Sequence, residues 1–351
     1  RDLRSLRERG AEPEKNLVIS KRAHLILPTH RLIDNVQEAS KGKQKIGSTL
    51  KGIGPAYTDK IARNGLSIGD IQIGNFRERY EGLKSEHMRV INSYNPDSSL
   101  LTIENKPFEE YEQLWFDGLK YLADIPFIDS EIFINKSLQE GKRILAEGAQ
   151  GTMLDIDFGT YPYVTSSSTI SAGVCSGLGI SPDKVGKVFG VFKAYCTRVG
   201  SGPFPTELTD ETGDLLRENG REFGSTTGRP RRCGWIDLPA LKYSVMLNGV
   251  TDLVMMKADV MDSFSQIGVC TQYKIGEKLY DFPGYETLNQ EIEPVILNIE
   301  GWESSLQDYT VWDKLPEKFR KYVRFVEKSL NLPISVISVG PRRDQTVVRL
   351  V

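Results

Sequence analysis

Residues 147–168 read EGAQGTMLDIDFGTYPYVTSSS, a glycine-rich polar stretch that directly follows a short apolar run. The apolar run, residues 143–146, is bounded by charged side chains and predicts a short buried β-strand. Glycines allow the backbone to approach a ligand closely, and Gln150 offers hydrogen-bond donors and acceptors together. A long polar loop beside a strand is more often functional than a simple surface connection. We therefore predict a ligand site where this strand ends.

Carboxylates and hydroxyls of the same stretch are further candidate ligand groups. Asp155 and Asp157 are two residues apart, so an extended backbone would place both on one face. Thr165, Ser166 and Ser167 add three hydroxyl groups, which both donate and accept hydrogen bonds. A plain glycine-rich surface loop is the weaker interpretation.

Length and charge limit the classes of protein that this chain can represent. Its 351 residues suffice for a large hydrophobic core and for one domain with an elaborated second lobe. Lys and Arg number 45 against 47 Asp and Glu, and the net charge of −2 provides no global attraction to nucleic acid or anionic membranes. The sequence has no apolar run of membrane-spanning length and no signal-peptide pattern. Any anion binding must therefore be local.

Cysteine and histidine spacing argues against a zinc site or a disulfide scaffold. The four cysteines are far apart and form no CxxC pair, which is typical of reduced thiols. The three histidines, His24, His30 and His87, are not clustered in the sequence. We interpret His24 and His30 as structural residues.

Hydrophobic periodicity predicts an α/β body with a helical insertion. Apolar residues recur every three to four positions over three segments, namely 77–94, 107–123 and 129–139. These helices predict a helical sub-domain at 64–140 within a single domain of residues 1–351. Later apolar runs alternate between strand and helix patterns. The fold class predicted is α/β, with a mostly parallel central sheet flanked by helices.

Residues 47–63, GSTLKGIGPAYTDKIAR, combine a glycine-rich turn with the start of a helix. Pro55 suits the first helical turn, and Asp59 and Arg63 have the i,i+4 spacing of an ion pair. Glycine turns that lead into helices often bind anions, because the first backbone N–H groups have no partner within the helix. Such turns also occur for structural reasons, so the motif is a weak signal by itself.

A second polar concentration, residues 223–237, joins hydroxyls and arginines in FGSTTGRPRRCGWID. Guanidinium groups bind carboxylates and phosphates through two parallel hydrogen bonds. The nearly neutral chain and the short basic run disfavour nucleic acid. We therefore predict a cradle for a small anionic substrate, with the candidate residues Ser225, Thr226, Thr227, Gly228, Arg229, Pro230 and Arg231.

An apolar strand predicted at 252–256 ends in Lys257, Ala258 and Asp259. A carboxylate just past a parallel strand can accept two hydrogen bonds from guanine, and a lysine stem can cover the base. A second strand, predicted at 333–339, leads into another strand-to-turn site at residues 340–343. A GxxxxGK[ST] phosphate loop does not occur in this sequence. If the protein uses GTP, the groups that hold its phosphates are therefore not among these residues.

Together, six segments resemble adenylosuccinate synthetase, in the family's order and across nearly the whole chain. Their length and low degeneracy make a chance match very unusual, and the similarity is greatest to bacterial members. The segments are residues 47–63, 147–167, 197–207, 222–237, 256–262 and 337–341. The resemblance implies a P-loop-NTPase-like synthetase fold.

For function, the resemblance implies a GTP-dependent ligase of purine nucleotide synthesis. In this family GTP phosphorylates the 6-oxygen of IMP, and the amino group of L-aspartate then displaces that phosphate to give adenylosuccinate. GDP and phosphate are released, and Mg²⁺ assists the reaction. The implied protein is a cytoplasmic homodimer.

The resemblance also implies roles for particular residues. Thr49 and Thr165 would contact the 5′-phosphate of IMP, and Arg63 would reach that phosphate from the partner subunit of the homodimer. Gln150 would lie beside the 6-oxygen as a catalytic residue. Lys60 belongs to a family signature, and we assign it a structural or electrostatic role.

Two further sets of contacts are implied in the same way. Residues 225–231 would close on aspartate, with Arg229 also reaching IMP and Arg231 near the nucleotide. The guanine pocket would be formed by Lys257, Ala258, Asp259, Ser338, Val339 and Gly340.

Departures from the family pattern lie in three places. Residues 171–174 read SAGV where many members have a glycine pair, and Pro230 stands where some carry a basic residue. The family's N-terminal segment carries its phosphate loop, its catalytic Asp and His and its Mg²⁺ ligands, and these residues do not include it. We therefore expect no metal ligands here, and little turnover from this chain alone. The alternative interpretation is an inactive nucleotide-binding fragment of the same family.

Two other classes of protein remain as alternatives. A different GTP-dependent enzyme or switch would use Lys257 and Asp259 but would not need the cradle at 225–231. A nucleic-acid-binding module agrees least with the charge, and salt-dependent binding of oligonucleotides would identify it.

Overall fold

The structure, a computed structural model, describes residues 2–42, 45–122, 124–224, 228–282, 284–285 and 290–349. The chain divides into two compact units. The first comprises residues 1–147, 165–167 and 174–181, and the second comprises residues 148–164, 168–173 and 182–351.

Helices dominate the first unit, and its strands are short. The helices are α1 (Asp2–Glu8), α2 (Pro28–Ser40), α3 (Ile53–Ala62), α4 (Phe76–Ser93), α5 (Phe108–Lys120), α6 (Ser130–Gln139) and, from its second residue onward, α7 (Gly173–Leu178). The strands are β1 (Ile19–Ser20), β2 (Thr102–Ile103), β3 (Lys106–Pro107) and β4 (Phe127–Ile128). α4, α5 and α6 confirm the three helices predicted from periodicity, while the sub-domain boundaries at 64 and 140 stay a prediction.

The second unit carries most of the β-structure. Its helices are α8 (Glu211–Gly220), α9 (Leu238–Asn248) and α10 (Glu317–Leu330). Its strands are β5 (Phe189–Lys193), β6 (Cys196–Arg198), β7 (Arg232–Gly234), β8 (Ile236–Asp237), β9 (Asp252–Met256), β10 (Gln266–Ile275), β11 (Lys278–Tyr280), β12 (Glu293–Glu300), β13 (Ile334–Ser338) and β14 (Thr346–Val348).

A four-stranded sheet with the order β14–β13–β9–β5 organises the second unit. β5, β9 and β13 run parallel to one another, and β14 pairs with β13 in the antiparallel sense. This arrangement confirms the mostly parallel sheet. A second sheet, β11–β10–β12, is antiparallel, and β8 joins it by pairing with β10 in the parallel sense.

Helix α10 covers the main hydrophobic core of this unit. Its buried residues recur at three- and four-residue intervals, so they form one apolar stripe; they are Phe319, Tyr322, Val323, Val326 and Leu330. The stripe packs in one cluster with Leu253 and Met255 of β9. The hydroxyl of Tyr322 donates a 2.8 Å hydrogen bond to the carbonyl of Ala194, just past β5. Helix and sheet are therefore tied by packing and by one polar contact.

Two apolar segments are exposed. Residues 143–146, predicted to form a buried strand, belong to no strand among the described residues, and Leu145 is 86% exposed. That prediction is wrong, because an apolar run becomes a strand only when a neighbour satisfies its backbone groups. β5 is an edge strand with one paired neighbour, β9, in the described part of the chain. Its side chains Phe189 and Val191 are 49% and 69% exposed.

Within the described ranges, no helix is long and apolar enough to cross a membrane.

Replacing Phe319 with alanine should lower the free energy of unfolding by about 3–5 kcal/mol, because truncating a buried aromatic side chain leaves a cavity. Urea unfolding can be followed by tryptophan fluorescence, since the Trp302 ring lies 4.8 Å from the Phe319 ring. The control is Lys321→Ala on the exposed face of the same helix, which should change stability by less than about 0.5 kcal/mol. Equal effects of the two substitutions would contradict the packing of α10.

Candidate functional site

In the first unit, two carboxylates of α2 hold the glycine turn that precedes α3. Asp34 and Glu38 are one helical turn apart and nearly buried. Glu38 accepts a 2.6 Å hydrogen bond from the N–H of Gly47, and Asp34 accepts one of 2.9 Å from the N–H of Gly52. Both ends of the turn are therefore fixed, and Thr49 lies exposed between them.

The start of α3 requires glycine. Gly52 has φ +77°, and a Cβ there would lie 2.9 Å from backbone atoms of His30 and Arg31. Two residues on, a Cβ at Gly54 would lie 3.5 Å from the hydroxyl oxygen of Ser166. The segment that contains Thr165 therefore lies against the first turn of α3. The helix α3 itself confirms the helix predicted after the glycine turn.

The predicted ion pair between Asp59 and Arg63 does not form. Arg63 ends α3 in a left-handed conformation with φ +68°, and its backbone N–H bonds the carbonyls of Asp59 and Lys60. This conformation turns Arg63 out of the helical register on which i,i+4 pairing depends. Arg63 is exposed, and among the described residues the Lys60 ammonium lies 5.7 Å from the ring centroid of Tyr57.

Asp59 instead joins two histidines. One carboxylate oxygen lies 2.7 Å from Nε2 of His30 and 2.9 Å from Nε2 of His87. The interpretation of the histidines as unclustered is therefore wrong, because the packing of α2, α3 and α4 brings together residues that are far apart in sequence. Burial tends to raise the pKa of Asp59, but the two imidazole contacts outweigh it and hold that pKa well below its usual range.

The tautomer of His30 follows from its second contact. The N–H of Leu27 donates a 2.9 Å hydrogen bond to Nδ1 of His30. The neutral ring must therefore carry its proton on Nε2, which donates to Asp59. Burial lowers the pKa of His30 more than Asp59 raises it. His30 is accordingly a neutral donor that joins α2 to α3.

This cluster does not fit Mg²⁺. Among the described residues, His30, Asp59 and His87 are the one group of three potential ligands whose donor atoms lie within 4.8 Å of one another. Both ring nitrogens of His30 are engaged, so it has no lone pair to offer. Mg²⁺ also prefers oxygen ligands. The cluster is best described as a clamp between three helices.

In the second unit, three parallel strands end at the same edge of the sheet. Lys193 is the last residue of β5, Lys257 follows β9, and Ser338 is the last residue of β13. Because the strands are adjacent and parallel, their carboxyl ends lie side by side. This is the edge at which open α/β sheets bind nucleotides.

Asp259 lies in a 3-10 turn, Ala258–Met261, that begins directly after Lys257. Lys257 has φ +59°, a conformation uncommon for residues other than glycine. Burial raises the pKa of Asp259, and the Lys257 ammonium opposes that effect. The buried Ala258 packs in the main core beneath the turn. Asp259 is half-buried at this strand edge.

The turn after β13 is equally tight. Val339 is buried, and the hydroxyl of Ser338 donates a 2.9 Å hydrogen bond to the carbonyl of Gly340. A Cβ at Gly340 would lie 2.4 Å from Oε1 of Gln345, so any larger residue would have to displace the Gln345 side chain. The register pairs Ile337 with Met255, which places Ser338, Val339 and Gly340 beside the residues that follow β9.

Glu222 forms the densest polar contact in this region. Its side chain is completely buried. Oε1 lies 2.6 Å from the hydroxyl of Tyr195, 2.7 Å from the ammonium of Lys193 and 2.8 Å from that of Lys257. Oε2 accepts a 2.6 Å hydrogen bond from Arg231. Burial tends to raise the pKa of Glu222, but the lysine and tyrosine donors outweigh it and lower that pKa to about 2.

The arginine-rich segment does not form a single cradle from three guanidinium groups. Arg231 pairs with Glu222, whereas Arg232 makes two contacts with Glu207. Arg229 is exposed, and its carbonyl accepts a 2.9 Å hydrogen bond from Gly224. Gly228 and Pro230 complete the described part of this turn, and Ser225, Thr226 and Thr227 lie outside the described residues.

The polar stretch at 147–168 folds around Asp155. This buried carboxylate accepts hydrogen bonds of 2.7 to 3.3 Å from four backbone N–H groups, at residues 157, 158, 169 and 170. Asp157 is exposed, so the shared face predicted for the two carboxylates is wrong. Gln150 is exposed and has φ +62°. Asp155 is therefore structural, whereas the Gln150 side chain is among those that the loop leaves exposed.

Sequence reasoning missed Lys193, Glu222 and the histidine clamp. The rule that selected Lys257, a polar residue at the end of an apolar strand, applies equally to Lys193. Glu222 directly precedes the hydroxyl and arginine run but has no distinguishing pattern of its own. His30 and His87 come together only through helix packing, which no local pattern reports.

Comparisons with known proteins agree with this geometry. A sequence model of the adenylosuccinate synthetase family matches residues 1–347. The adenylosuccinate synthetases of Parabacteroides distasonis and Porphyromonas gingivalis are each 53% identical over 346 residues, which cover 98% of this chain and 79% of the relative. A structure of fully ligated adenylosuccinate synthetase from Plasmodium falciparum has a TM-score of 0.89 and 38% identity, and it covers 99% of this chain and 82% of that chain.

The strand-end arrangement first defines the class of protein, an α/β protein with the kind of sheet edge that binds nucleotides. The comparisons then give the family: the chain belongs to the adenylosuccinate synthetases, which are ligases. The family and fold class predicted from the sequence are thereby confirmed.

His30 should make stability depend on pH below about 6.5, the ordinary histidine pKa. Because the pKa of His30 is lowered in the folded chain, the unfolded chain binds that proton more tightly, and stability falls as pH drops below 6.5. Thermal unfolding between pH 7.5 and 5 should show a steeper loss for the wild type than for His30→Gln.

The comparison variant for this experiment is His24→Gln. The His24 side chain is more exposed than that of His30, so its replacement should alter the pH dependence less. Identical pH dependence in wild type and His30→Gln would contradict a buried neutral His30.

Proposed function

We propose that this chain ligates IMP and L-aspartate to adenylosuccinate at the expense of GTP. The 6-oxygen of IMP takes the γ-phosphoryl group and GDP leaves. The aspartate amino group then forms a bond to C6, the ring carbon that carries this oxygen. The C6–oxygen bond breaks, and the oxygen leaves as part of the phosphate. The observation that carries the proposal is the shared strand edge, where Lys257 and Asp259 lie beside Ser338 and Gly340.

The chemistry of this edge suits guanine. The N1–H and amino group of guanine are adjacent donors, and a carboxylate such as Asp259 can accept from both. The Lys257 stem and the small residues Ala258 and Gly340 leave room for the flat base, with Ser338 and Val339 closing the pocket. These assignments use only residues of the second unit.

For aspartate, we assign the segment at 225–231. Arg229 and Arg231 provide guanidinium groups that match carboxylate geometry, and Gly228 and Pro230 shape the turn that carries them. Arg229 also reaches IMP, and Arg231 lies near the nucleotide in this proposal. Ser225, Thr226 and Thr227 are included from the family pattern.

For IMP, we assign Thr49 and Thr165 to the 5′-phosphate and Gln150 to the 6-oxygen. The fixed glycine turn supports the first assignment, because a hydroxyl held on a rigid turn loses little conformational entropy on binding. The exposed Arg63 at the end of α3 suits donation to the phosphate of a partner subunit, so the proposal includes a homodimer. A cytoplasmic location stays a prediction.

Mg²⁺ is part of the family's reaction, in which it neutralises charge on the transferred phosphoryl group. The described residues do not bring together a set of ligands that fits it, so we assign it no ligand here.

The proposed function is tested by phosphate release from GTP with Mg²⁺, with IMP and aspartate omitted in turn. Release that requires both is the expected result. Release without aspartate would instead identify a different GTP-using protein. Binding of IMP and GTP without any release would favour the nucleotide-binding alternative.

Asp259→Asn should change the base preference from guanine to xanthine. The amide NH₂ group opposes the guanine amino group but can donate to the 2-oxygen of xanthine, so the ratio of kcat/KM for GTP and XTP should shift by about tenfold or more. Asp252→Asn, at the other end of β9, is the matched control. An unchanged ratio for Asp259→Asn would refute the base pocket.

A further inference from the structure

We propose that Glu222 is a positioning residue that couples the guanine pocket to Arg231, so that the nucleotide and aspartate bind to mechanically linked elements. This inference rests on the proposed function, which assigns Lys257 to guanine and Arg231 to the substrate-binding segment. Neither the spacing of the motifs nor the chemistry of the reaction requires such a link. It follows from one carboxylate holding both side chains at once.

The two oxygens of Glu222 divide the contacts between the two elements. Oε1 accepts from the Lys257 ammonium at 2.8 Å, and Oε2 accepts from the Arg231 guanidinium at 2.6 Å. The backbone adds a second pair of contacts, since the N–H of Arg231 bonds the carbonyl of Glu222 at 2.9 Å. The Lys257 ammonium also donates to the carbonyl of Gly220 at 2.6 Å. Residues 220–222 therefore contact both Lys257 and Arg231, through the Glu222 side chain and through backbone carbonyls.

Residues at the end of β5 restrain the Glu222 carboxylate further. Lys193 at the end of β5 and the buried Tyr195 both contact Oε1 of Glu222, so the carboxylate has little freedom to follow one partner away from the other. Three cations surround a single carboxylate that is fully buried. Removing its charge would leave those cations to repel one another in a region of low dielectric.

Arg231 retains binding capacity despite this contact. Its Nε atom is buried and has no hydrogen-bond partner among the described residues. Glu222 occupies Nη1, so the guanidinium is oriented by one edge and still has an unused donor. The Arg231 side chain is 29% exposed, so the ion pair does not seal the guanidinium off from a ligand. Arg231 is thus held in place for a ligand rather than consumed by the ion pair.

A purely structural ion cluster would stabilise the chain without linking the two elements. The two roles differ in what a nucleotide does to the arginine segment. If Glu222 couples them, GDP bound at Lys257 and Asp259 restrains Arg231 as well. If Glu222 does not couple them, GDP restrains only the residues at the end of β9.

Hydrogen–deuterium exchange with GDP as the probe separates these roles. In the wild type, saturating GDP should slow exchange in residues 257–261 and also in residues 228–232. In Glu222→Gln, the charged contact that positions Lys257 is lost. The affinity for GDP should therefore fall by about tenfold. At GDP concentrations that saturate the variant, protection should persist at 257–261 and be lost at 228–232.

Two further variants keep the test decisive. Glu207→Gln is the matched control, because Glu207 pairs with the neighbouring Arg232 and contacts neither Lys257 nor Arg231. It should retain protection in both segments. Glu222→Asp keeps the charge but is one methylene shorter, so it should fold and still lose the coupling, which covers the case in which Glu222→Gln fails to fold.

Steady-state kinetics provides a second readout. Glu222→Asp should raise the KM values for GTP and aspartate together, by about tenfold, and leave the KM for IMP within about twofold. A structural role alone would lower the Tm without separating these constants.

The outcomes distinguish the inference from the proposed function. Wild-type protection by GDP at 257–261 without protection at 228–232 would overturn the coupling and leave the guanine site intact. Wild type without protection at 257–261 would overturn the guanine assignment itself. Protection at 228–232 that survives in both Glu222 variants would also exclude Glu222 as the link.

Discussion

Parallel pairing of β5, β9 and β13 is the constraint on which the candidate site depends. Adjacent parallel strands end at the same edge of a sheet. The residues that follow three strands far apart in the sequence are therefore close together in the fold. The backbone hydrogen bonds that pair the strands are independent of side chains, whereas the residues just past the strands are free to vary in chemistry. The apolar stripe of α10 and the contact between Tyr322 and Ala194 hold this sheet in shape. Binding groups are thereby positioned by elements that take no part in binding.

Buried and partly buried carboxylates act as the local organisers in both units. Glu38 fixes a turn through backbone N–H groups, Asp59 joins three helices through imidazoles, and Asp155 gathers four N–H groups of one loop. Glu222 does the same with three cations and a phenol. In each case a negative group is stabilised away from water by donors that come from separate segments. These residues determine where the exposed groups, such as Thr49, are presented.

Patterns of local origin were predictable from the sequence, and those that depend on tertiary packing were not. The amphipathic period of α4 and the apolar run of β9 are local, so their prediction needs no knowledge of neighbours. The pairing of Asp59 was predicted wrongly because i,i+4 spacing assumes a helix that continues, whereas Arg63 leaves the helix. Residues 143–146 have the composition of a strand, but composition cannot supply the partner that a strand requires. Of the candidate residues, Lys257 and Asp259 were found by the strand-end rule, while Glu222 required the three-dimensional arrangement.

The open edge of β5 has a consequence for the behaviour of the chain in solution. In the described part of the chain its second edge has no strand partner, and the side chains of Phe189 and Val191 are exposed. Before its last residue, Lys193, the strand has none of the charged or proline residues that natural edge strands use against association. Aggregation of this chain at high concentration would therefore start at the strand that also ends in Lys193. The strand that affects aggregation is therefore also part of the proposed nucleotide site. Substitutions in β5 that reduce aggregation must preserve its register with β9.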